Sequence, residues 1–167
     1  MELSLDEIET EIGTLLLVTN QEARCALYFG DEESQLMKRL KRRYRQFQLR
    51  RVNNPQGCTD LLKAYFAGDH WALDRIPVSV DGTPFQQQVW SALRTIPIGN
   101  TTAYGELAAK VGRPTAARAV GMANAVNPVA IVVPCHRVIG ANSKLVGCGG
   151  GLDRKQWLLR HEGVNLS

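Results

Sequence analysis

The chain is organised around residues 131–140, IVVPCHRVIG. Three β-branched residues precede Pro134, which cannot donate a hydrogen bond to a sheet, so the run predicts a short buried strand that ends there. A cysteine nucleophile reacts as the thiolate and needs a base or a positive charge nearby, and His136 and Arg137 provide both beside Cys135. The alternative is that Cys135 is a small buried hydrophobic residue at a strand end. The stretch alone does not decide between the two.

The composition is that of a soluble globular protein, because 44% of the 167 residues are hydrophobic and 22% are charged. This length allows one large domain or two small ones. No apolar run approaches the roughly 20 residues that span a bilayer, and residues 1–7 are acidic where a signal peptide would be basic. We therefore expect a cytoplasmic protein without a membrane partner.

The cysteines and histidines indicate neither a disulfide framework nor a metal site. They are scattered along the chain, at Cys25, Cys58, His70, Cys135, His136, Cys148 and His161. No C-x-x-C pair is present, and the adjacent Cys135 and His136 would have difficulty reaching one metal ion together. We expect no metal and no cofactor.

A net charge of +4 is mild for a protein that binds nucleic acid. Much of the positive charge lies in residues 38–45 and 50–51. Such a run is either a DNA-binding patch or the solvated face of a helix, and the second is the more common.

The N-terminal half has the pattern of a small α/β domain. Apolar runs at residues 14–19 and 24–29, separated by polar turn residues, predict a β-hairpin. Apolar spacing then predicts a helix over residues 34–45, with its basic side chains in water. A second amphipathic helix includes residues 61–66 and ends at Gly68.

Residues 76–82 are extended and turn-forming, and we place a domain boundary there, which gives domains 1–79 and 80–167. The second domain begins with a helix that Thr83 caps, with Pro84 at its first position. Its apolar face is formed by Phe85, Val89, Leu93 and Ile96.

Two short helices follow, over residues 103–111 and 115–125, with Gly112 in the turn between them. Two helices joined by a tight turn that contains glycine are typical of a helix-turn-helix. Asp153 is predicted to cap a last helix that runs to His161.

Residues 134–140, PCHRVIG, resemble the active-site signature of the O6-alkylguanine-DNA alkyltransferases, and in particular of the bacterial Ogt-like proteins. The likeness continues, in order, through residues 85–90, 104–108, 116–121, 127–128, 150–151 and 154–163. It implies an N-terminal ribonuclease-H-like α/β domain and a C-terminal helical domain with a winged-helix-like helix-turn-helix. It also implies a monomer that repairs double-stranded DNA by moving an alkyl group from guanine, and also from thymine, onto its own cysteine once.

The resemblance assigns the chemistry to five residues. Cys135 would accept the alkyl group, His136 would take the thiol proton through a water, and Glu162 would steady the histidine. Asn127 would hold the turn that carries the cysteine. Tyr104 would help to rotate the target base outward and later donate a proton to the guanine ring. Without the resemblance, Glu162 is an ordinary acid at a helix end, Asn127 an ordinary turn residue and Tyr104 a core residue.

The helix over residues 115–125 is rich in small side chains, which by itself favours a buried, closely packed helix. The resemblance instead implies a recognition helix in the minor groove, where small residues allow close approach. Arg118 would then replace the extruded nucleotide, whereas by itself it is an arginine that reaches a phosphate. The implied DNA contacts are Thr102, Tyr104, Ala117, Arg118, Ala119 and Gly121.

The glycine-rich loop over residues 146–152 would close over the flipped guanine, although such loops are often merely flexible. The implied pocket residues are Ala130, Val138, Cys148, Gly149 and Gly150. The family usually has an aromatic residue, commonly tyrosine, where this chain has Cys148. Asn124 and Ala130 near the pocket hint at access for bulky alkyl groups.

Three other functions are compatible with parts of the sequence. A non-catalytic alkyltransferase-like protein would bind lesions, but such proteins lack the acceptor cysteine. A helix-turn-helix regulator would leave Cys135, His136 and Glu162 without a role. A cysteine hydrolase would use the thiol but does not need a DNA-binding helix pair.

Overall fold

The computed structural model describes residues 1–21, 25–140 and 150–166. Its internal contacts divide the chain into two units, Met1–Val80 and Asp81–Ser167. No helix within the described residues is long and apolar enough to cross a membrane.

The first unit is built on a four-stranded sheet of order β3-β2-β1-β4. Strand β1 pairs antiparallel with β2 and parallel with β4, and β2 pairs antiparallel with β3. The strands are β1 (Glu2–Thr10), β2 (Gly13–Thr19), β3 (Cys25–Phe29) and β4 (Gln48–Arg51). The helices are α1 (Glu33–Tyr44) and α2 (Cys58–Phe66), with 3₁₀ turns at Gly30–Glu32, Pro55–Gly57 and Ala72–Arg75.

Helix α1 packs its apolar stripe on one face of this sheet. Leu36 and Leu40 of α1 are buried in a cluster with Leu3, Leu16 and Val18 of the strands. Most of the basic side chains of α1 lie on its exposed side. The basic residues within 38–43 therefore lie mostly on the exposed face of an amphipathic helix, whereas residues 50–51 belong to β4.

The predicted hairpin is confirmed as β2 and β3, but the sequence analysis missed β1 and β4. Strand β1 is rich in acidic residues, and β4 has only four residues, so neither gives a strong apolar signal. Arg50 Nη1 lies 3.3 Å from Glu2 Oε1, and Arg51 Nη2 lies 2.6 Å from Glu7 Oε1. These exposed pairs join the two strands but each contributes about 1 kcal/mol or less.

The second unit is mostly helical. Its helices are α3 (Pro84–Leu93), α4 (Tyr104–Lys110), α5 (Ala117–Ala125) and α6 (Leu152–His161). Its strands are β5 (Thr102–Ala103) and β6 (Val138–Ile139), which pair in parallel, and a 3₁₀ turn covers Cys135–Arg137. The predicted combination of an N-terminal sheet domain and a C-terminal helical domain with a helix pair is confirmed.

Helix α3 begins where the sequence predicts. Thr83 Oγ1 accepts from the Gln86 backbone N–H at 3.1 Å, and Gln86 Oε1 accepts from the Thr83 N–H at 3.0 Å, which is a complete capping box. Trp90 Nε1 donates to the Ala123 carbonyl at 3.0 Å. Because both groups are buried, this bond fixes α5 against α3.

The start of α6 differs from the prediction. Helix α6 begins at Leu152 after Gly151, whose φ of 88° is a conformation that favours glycine. Asp153 lies inside the first turn, where its charge complements the helix dipole, and it is not the cap.

The predicted strand before Cys135 is wrong. Residues 131–133 are buried, but they form tight turns, with Val133 N–H donating to the Val129 carbonyl at 3.0 Å. Ile131 has a φ of 73°, which is strained for a β-branched residue and costs about 1–3 kcal/mol. The apolar composition of residues 131–133 correctly indicates that they are buried, but it does not distinguish a buried turn from a buried strand. The strand follows the cysteine instead, as β6.

Candidate active site

Cys135 stands at the start of a tight buried turn. It opens the 3₁₀ turn directly after Pro134, and it is 6% exposed. The Cys135 N–H donates to the Val133 carbonyl at 2.8 Å, and the Arg137 N–H donates to the Pro134 carbonyl at 3.0 Å. Both bonds fix the backbone on either side of the thiol.

The next two residues converge on one carboxylate. His136 Nε2 lies 2.7 Å from Glu162 Oε2, and Arg137 Nε donates to Glu162 Oε1 at 2.7 Å. Arg137 Nη2 reaches Oε2 at 3.2 Å, and Nη1 donates to the Ile96 carbonyl at 2.7 Å. The Glu162 side chain, directly after α6, is fully buried. Glu162 therefore ties the reactive turn to the end of α6 through charge-assisted bonds.

The charges around Glu162 fix its ionisation. Burial by itself would raise the pKa of Glu162, but His136 and Arg137, through charge and hydrogen bonds, lower it from 4.5 to about 2. At neutral pH the group is therefore a carboxylate, which can only accept hydrogen bonds. Nε2 of His136 must then carry the hydrogen that it shares with Glu162.

In the neutral form of His136, this assignment leaves the other ring nitrogen as an acceptor. In neutral imidazole only one nitrogen is protonated, so Nδ1 holds a lone pair. Among the described residues, Nδ1 is buried and makes no hydrogen bond. A lone pair on the histidine that follows Cys135 in the chain is suited to accept a thiol proton.

Asn127 holds the turn before the cysteine. Its Nδ2 donates to the Val133 carbonyl at 2.7 Å, and its Oδ1 accepts from the Val129 N–H at 3.0 Å. The Asn127 side chain thus satisfies backbone groups of Val129 and Val133 that a β-sheet would otherwise pair.

Tyr104 begins α4 and packs its ring beside Gly121 of α5. A Cβ at Gly121 would lie 3.8 Å from Tyr104 Cε1, so the two helices approach closely here. Asn124 Nδ2 lies 3.5 Å from Tyr104 Oη and 3.4 Å from the Cys135 carbonyl oxygen. Tyr104 and Cys135 are therefore connected through one amide.

Helix α5 divides its residues between two faces. Val120, Ala123 and Asn124 are buried, whereas Arg118 and Ala119 are exposed. Ala117 and Gly121 of α5 and the nearby Thr102 of β5 are half-buried, and the large side chain of Met122 is 70% exposed. The helix is therefore not fully buried, and one side of it is open to a partner.

The predicted pocket residues are only partly described. Val138 is buried, and its carbonyl accepts from Nζ of Lys155. Ala130 and Gly150 are half-buried. Cys148 and Gly149 lie outside the described residues. Within the described part of the chain, no three His, Cys, Asp or Glu side chains are grouped to hold a metal ion.

Three polar residues of this site have contacts or burial that were not predicted from the sequence. Arg137 was expected as a positive charge for the thiol, but it lies on Glu162. Lys155 and Asn124 are 0% and 1% exposed, although both residue types are common on surfaces. Their spacing was a usable signal, because Lys155 shares the helix face of Leu158 and Leu159, and Asn124 follows Val120 by one turn.

Two family models match the chain in tandem. The ribonuclease-like domain of 6-O-methylguanine DNA methyltransferase matches residues 7–80, and the DNA binding domain matches residues 84–164. The chain belongs to the 6-O-methylguanine DNA methyltransferase family. The resemblance drawn from residues 134–140 is thereby confirmed.

Relatives in the methyltransferase family are similar over nearly the whole chain. The methylated-DNA--protein-cysteine methyltransferase of Shigella flexneri is 47% identical over 164 residues, which cover 96% of each chain. The crystal structure of Mycobacterium tuberculosis O6-methylguanine methyltransferase has a TM-score of 0.78 at 41% identity and covers 96% of this chain and 92% of that chain. The crystal structure of Mycobacterium tuberculosis OGT in complex with DNA has a TM-score of 0.78 at 40% identity and covers 97% of this chain and 92% of that chain.

Proposed function

We propose that this protein repairs double-stranded DNA by direct reversal, moving an alkyl group from O6 of guanine to Sγ of Cys135. The observation that carries the proposal is the contact of His136, the residue after Cys135, with the buried Glu162 carboxylate, which lies 2.7 Å from Nε2. Glu162 holds the proton on Nε2, so the buried Nδ1 is free to act as a base beside the cysteine. The relatives named as methylated-DNA--protein-cysteine methyltransferases support this chemistry.

The transfer balances without a cofactor. Nδ1 of His136 takes the thiol proton of Cys135 through one water, and the thiolate attacks the alkyl carbon. The carbon–oxygen bond breaks, its electron pair stays with the guanine, and the hydroxyl of Tyr104 gives the ring a proton. The product is a thioether, which water does not hydrolyse. Each molecule therefore acts once.

DNA would bind through residues 80–167, on the exposed side of α5. The small side chains Ala117, Ala119 and Gly121 allow a close approach to the minor groove, with Thr102 and Tyr104 nearby. Arg118 is exposed on this side and would fill the space of the extruded nucleotide. The flipped base would enter a pocket formed with Ala130, Val138 and Gly150 and with the undescribed Cys148 and Gly149. We place the protein in the cytoplasm, because its substrate would be chromosomal DNA. The family resemblance implies that it acts as a monomer.

The transfer is tested directly with duplex DNA that carries a labelled methyl group on O6 of guanine. The label is expected to saturate at one methyl per chain and to map to the Cys135 peptide. A parallel duplex with O4-methylthymine tests the wider substrate range. Repeated turnover, or label on another cysteine, would contradict the proposal. A helix-turn-helix regulator or a lesion-binding protein without transfer would acquire no label.

The proposed role of Arg118 predicts a difference between two substrates. Arg118→Ala is expected to slow transfer from duplex DNA by about 10- to 100-fold, because a stacked base is worth roughly 1–3 kcal/mol. Transfer from free O6-benzylguanine needs no base flipping and should change less than about twofold. Single-turnover rates on both substrates check this.

Arg42→Ala is the matched control, since Arg42 is an exposed helical arginine in the first unit. It removes the same charge and should leave both rates unchanged. Equal losses in Arg118→Ala on the duplex and on the free base would exclude a flipping role for Arg118.

A further inference from the structure

We propose that Asn124 is a positioning residue for the transfer, which aligns the hydroxyl of Tyr104 and stabilises the charge that forms on it. This inference rests on the proposed function. It concerns a residue on the buried side of α5, opposite the side that would meet DNA.

Packing alone does not account for an asparagine at this position. Asn124 is 1% exposed and lies on the same face as Val120 and Ala123. Among the described residues, its buried Oδ1 has no hydrogen-bond partner. A buried amide oxygen without a donor is unfavourable, and leucine would fill a similar volume without that cost.

The orientation of the amide follows from its neighbours. Nδ2 lies 3.4 Å from the Cys135 carbonyl oxygen and 3.5 Å from Tyr104 Oη. A carbonyl only accepts hydrogen bonds, so the NH₂ group must face Cys135 and its oxygen must point away. Each of the two amide hydrogens then has one acceptor, the carbonyl of Cys135 and the phenol oxygen of Tyr104.

This arrangement prepares Tyr104 to act as an acid. Because Asn124 donates to Oη, the hydroxyl hydrogen of Tyr104 is directed away from Nδ2. When that proton leaves, Oη becomes negative and its bond from Nδ2 becomes charge-assisted. A bond that strengthens only as the reaction proceeds raises the rate of the chemical step. The long distances in the unbound protein agree with this, since such bonds often tighten only around the substrate.

The contact with Cys135 gives the same amide a second acceptor in the reactive turn. Asn124 therefore connects α5, the first residue of α4 and the turn that carries the thiol. The bond to the Cys135 carbonyl orients the amide, so that its second hydrogen is directed at Tyr104 Oη.

The test is a double-mutant cycle with Asn124→Leu and Tyr104→Phe, read as single-turnover transfer from O6-methylguanine duplex. Asn124→Leu is expected to slow transfer about tenfold or more, as for the loss of a hydrogen bond to a charged group. Tyr104→Phe should also slow it, and the double variant should be no slower than Tyr104→Phe alone. The inference would be overturned if the rate losses of the two single variants multiply in the double variant. It would also be overturned if Asn124→Leu transfers at the rate of the parent.

Alkylation of Cys135 by iodoacetamide separates this role from a loosened fold. Iodide leaves without a proton, so this reaction does not need Tyr104. The rate of alkylation at the Cys135 peptide should be the same in Asn124→Leu as in the parent. If alkylation slows as much as transfer from DNA does, the variant disturbs the thiol itself and the inference is refuted.

Asn124→Asp provides a second variant of nearly identical shape. Its carboxylate would face the lone pairs of the Cys135 carbonyl and would accept the hydroxyl hydrogen of Tyr104, so transfer should be slower than in Asn124→Leu. A rate equal to the parent would refute the donor role. If the parent protein takes up no methyl group, the proposed function fails; if it does and Asn124→Leu matches it, only the inference fails.

Discussion

Glu162→Gln is expected to destabilise the second unit by about 3–5 kcal/mol, because it leaves the buried guanidinium of Arg137 without a countercharge. It should also slow alkyl transfer by about a hundredfold or more, the usual contribution of a general base. A glutamine NH₂ that faces His136 would force the proton from Nε2 to Nδ1, and the base would be lost. Urea unfolding and single-turnover transfer measure the two effects.

The acid limb of the stability profile provides a further check on Glu162. Its pKa is lowered from 4.5 to about 2 on folding, so its contribution is complete above pH 4.5 and is lost as the pH falls toward 2. The difference corresponds to about 3 kcal/mol. The parent should lose this stability in that window, and Glu162→Gln should lose much less. Asp153→Asn, at the exposed first turn of α6, is the matched control. Identical acid profiles for the parent and Glu162→Gln would refute the assignment.

Cys135→Ser is expected to reduce alkyl transfer by a factor on the order of 10⁴ or more, because His136 cannot readily generate an alkoxide from serine. The substitution changes one atom in a buried turn, so affinity for O6-methylguanine duplex should stay within about twofold. Transfer of labelled methyl and fluorescence anisotropy with labelled duplex measure the two quantities.

Cys58→Ser is the matched control for Cys135→Ser. Burial raises the pKa of the Cys58 thiol, which therefore stays protonated and unreactive. This variant should accept one methyl group as the parent does. Label retained in Cys135→Ser would show that another residue is the acceptor.

The parts of the fold that sequence predicted are those with strong local signals. The start of α3 follows from Thr83 and Pro84, because a cap and a proline at the first position act within one turn. The hairpin of β2 and β3 follows from two apolar runs. Strand β1 is half exposed and acidic, and it forms because β2 and β4 pair with it from distant positions, which no local pattern reveals.

The candidate site also combines features that have a local sequence signal with features that depend on distant contacts. Cys135, His136 and Glu162 were assigned from the family resemblance, but their relative positions depend on tertiary packing. Sequence could not show that Arg137 would bind Glu162, or that Asn124 would contact Tyr104 and Cys135, because polar side chains are placed by partners far along the chain.

The strand order of the first unit also matters while the chain is being synthesised. Strands β1, β2 and β3 are consecutive and antiparallel, so they can pair as soon as Phe29 has been made. One edge of β1 then stays open until β4 arrives, and an open edge can pair with another nascent chain. Glu2 and Glu7 place negative charge on β1, which Arg50 and Arg51 of β4 later meet. The carboxylates that repel a second copy of β1 therefore attract its proper neighbour.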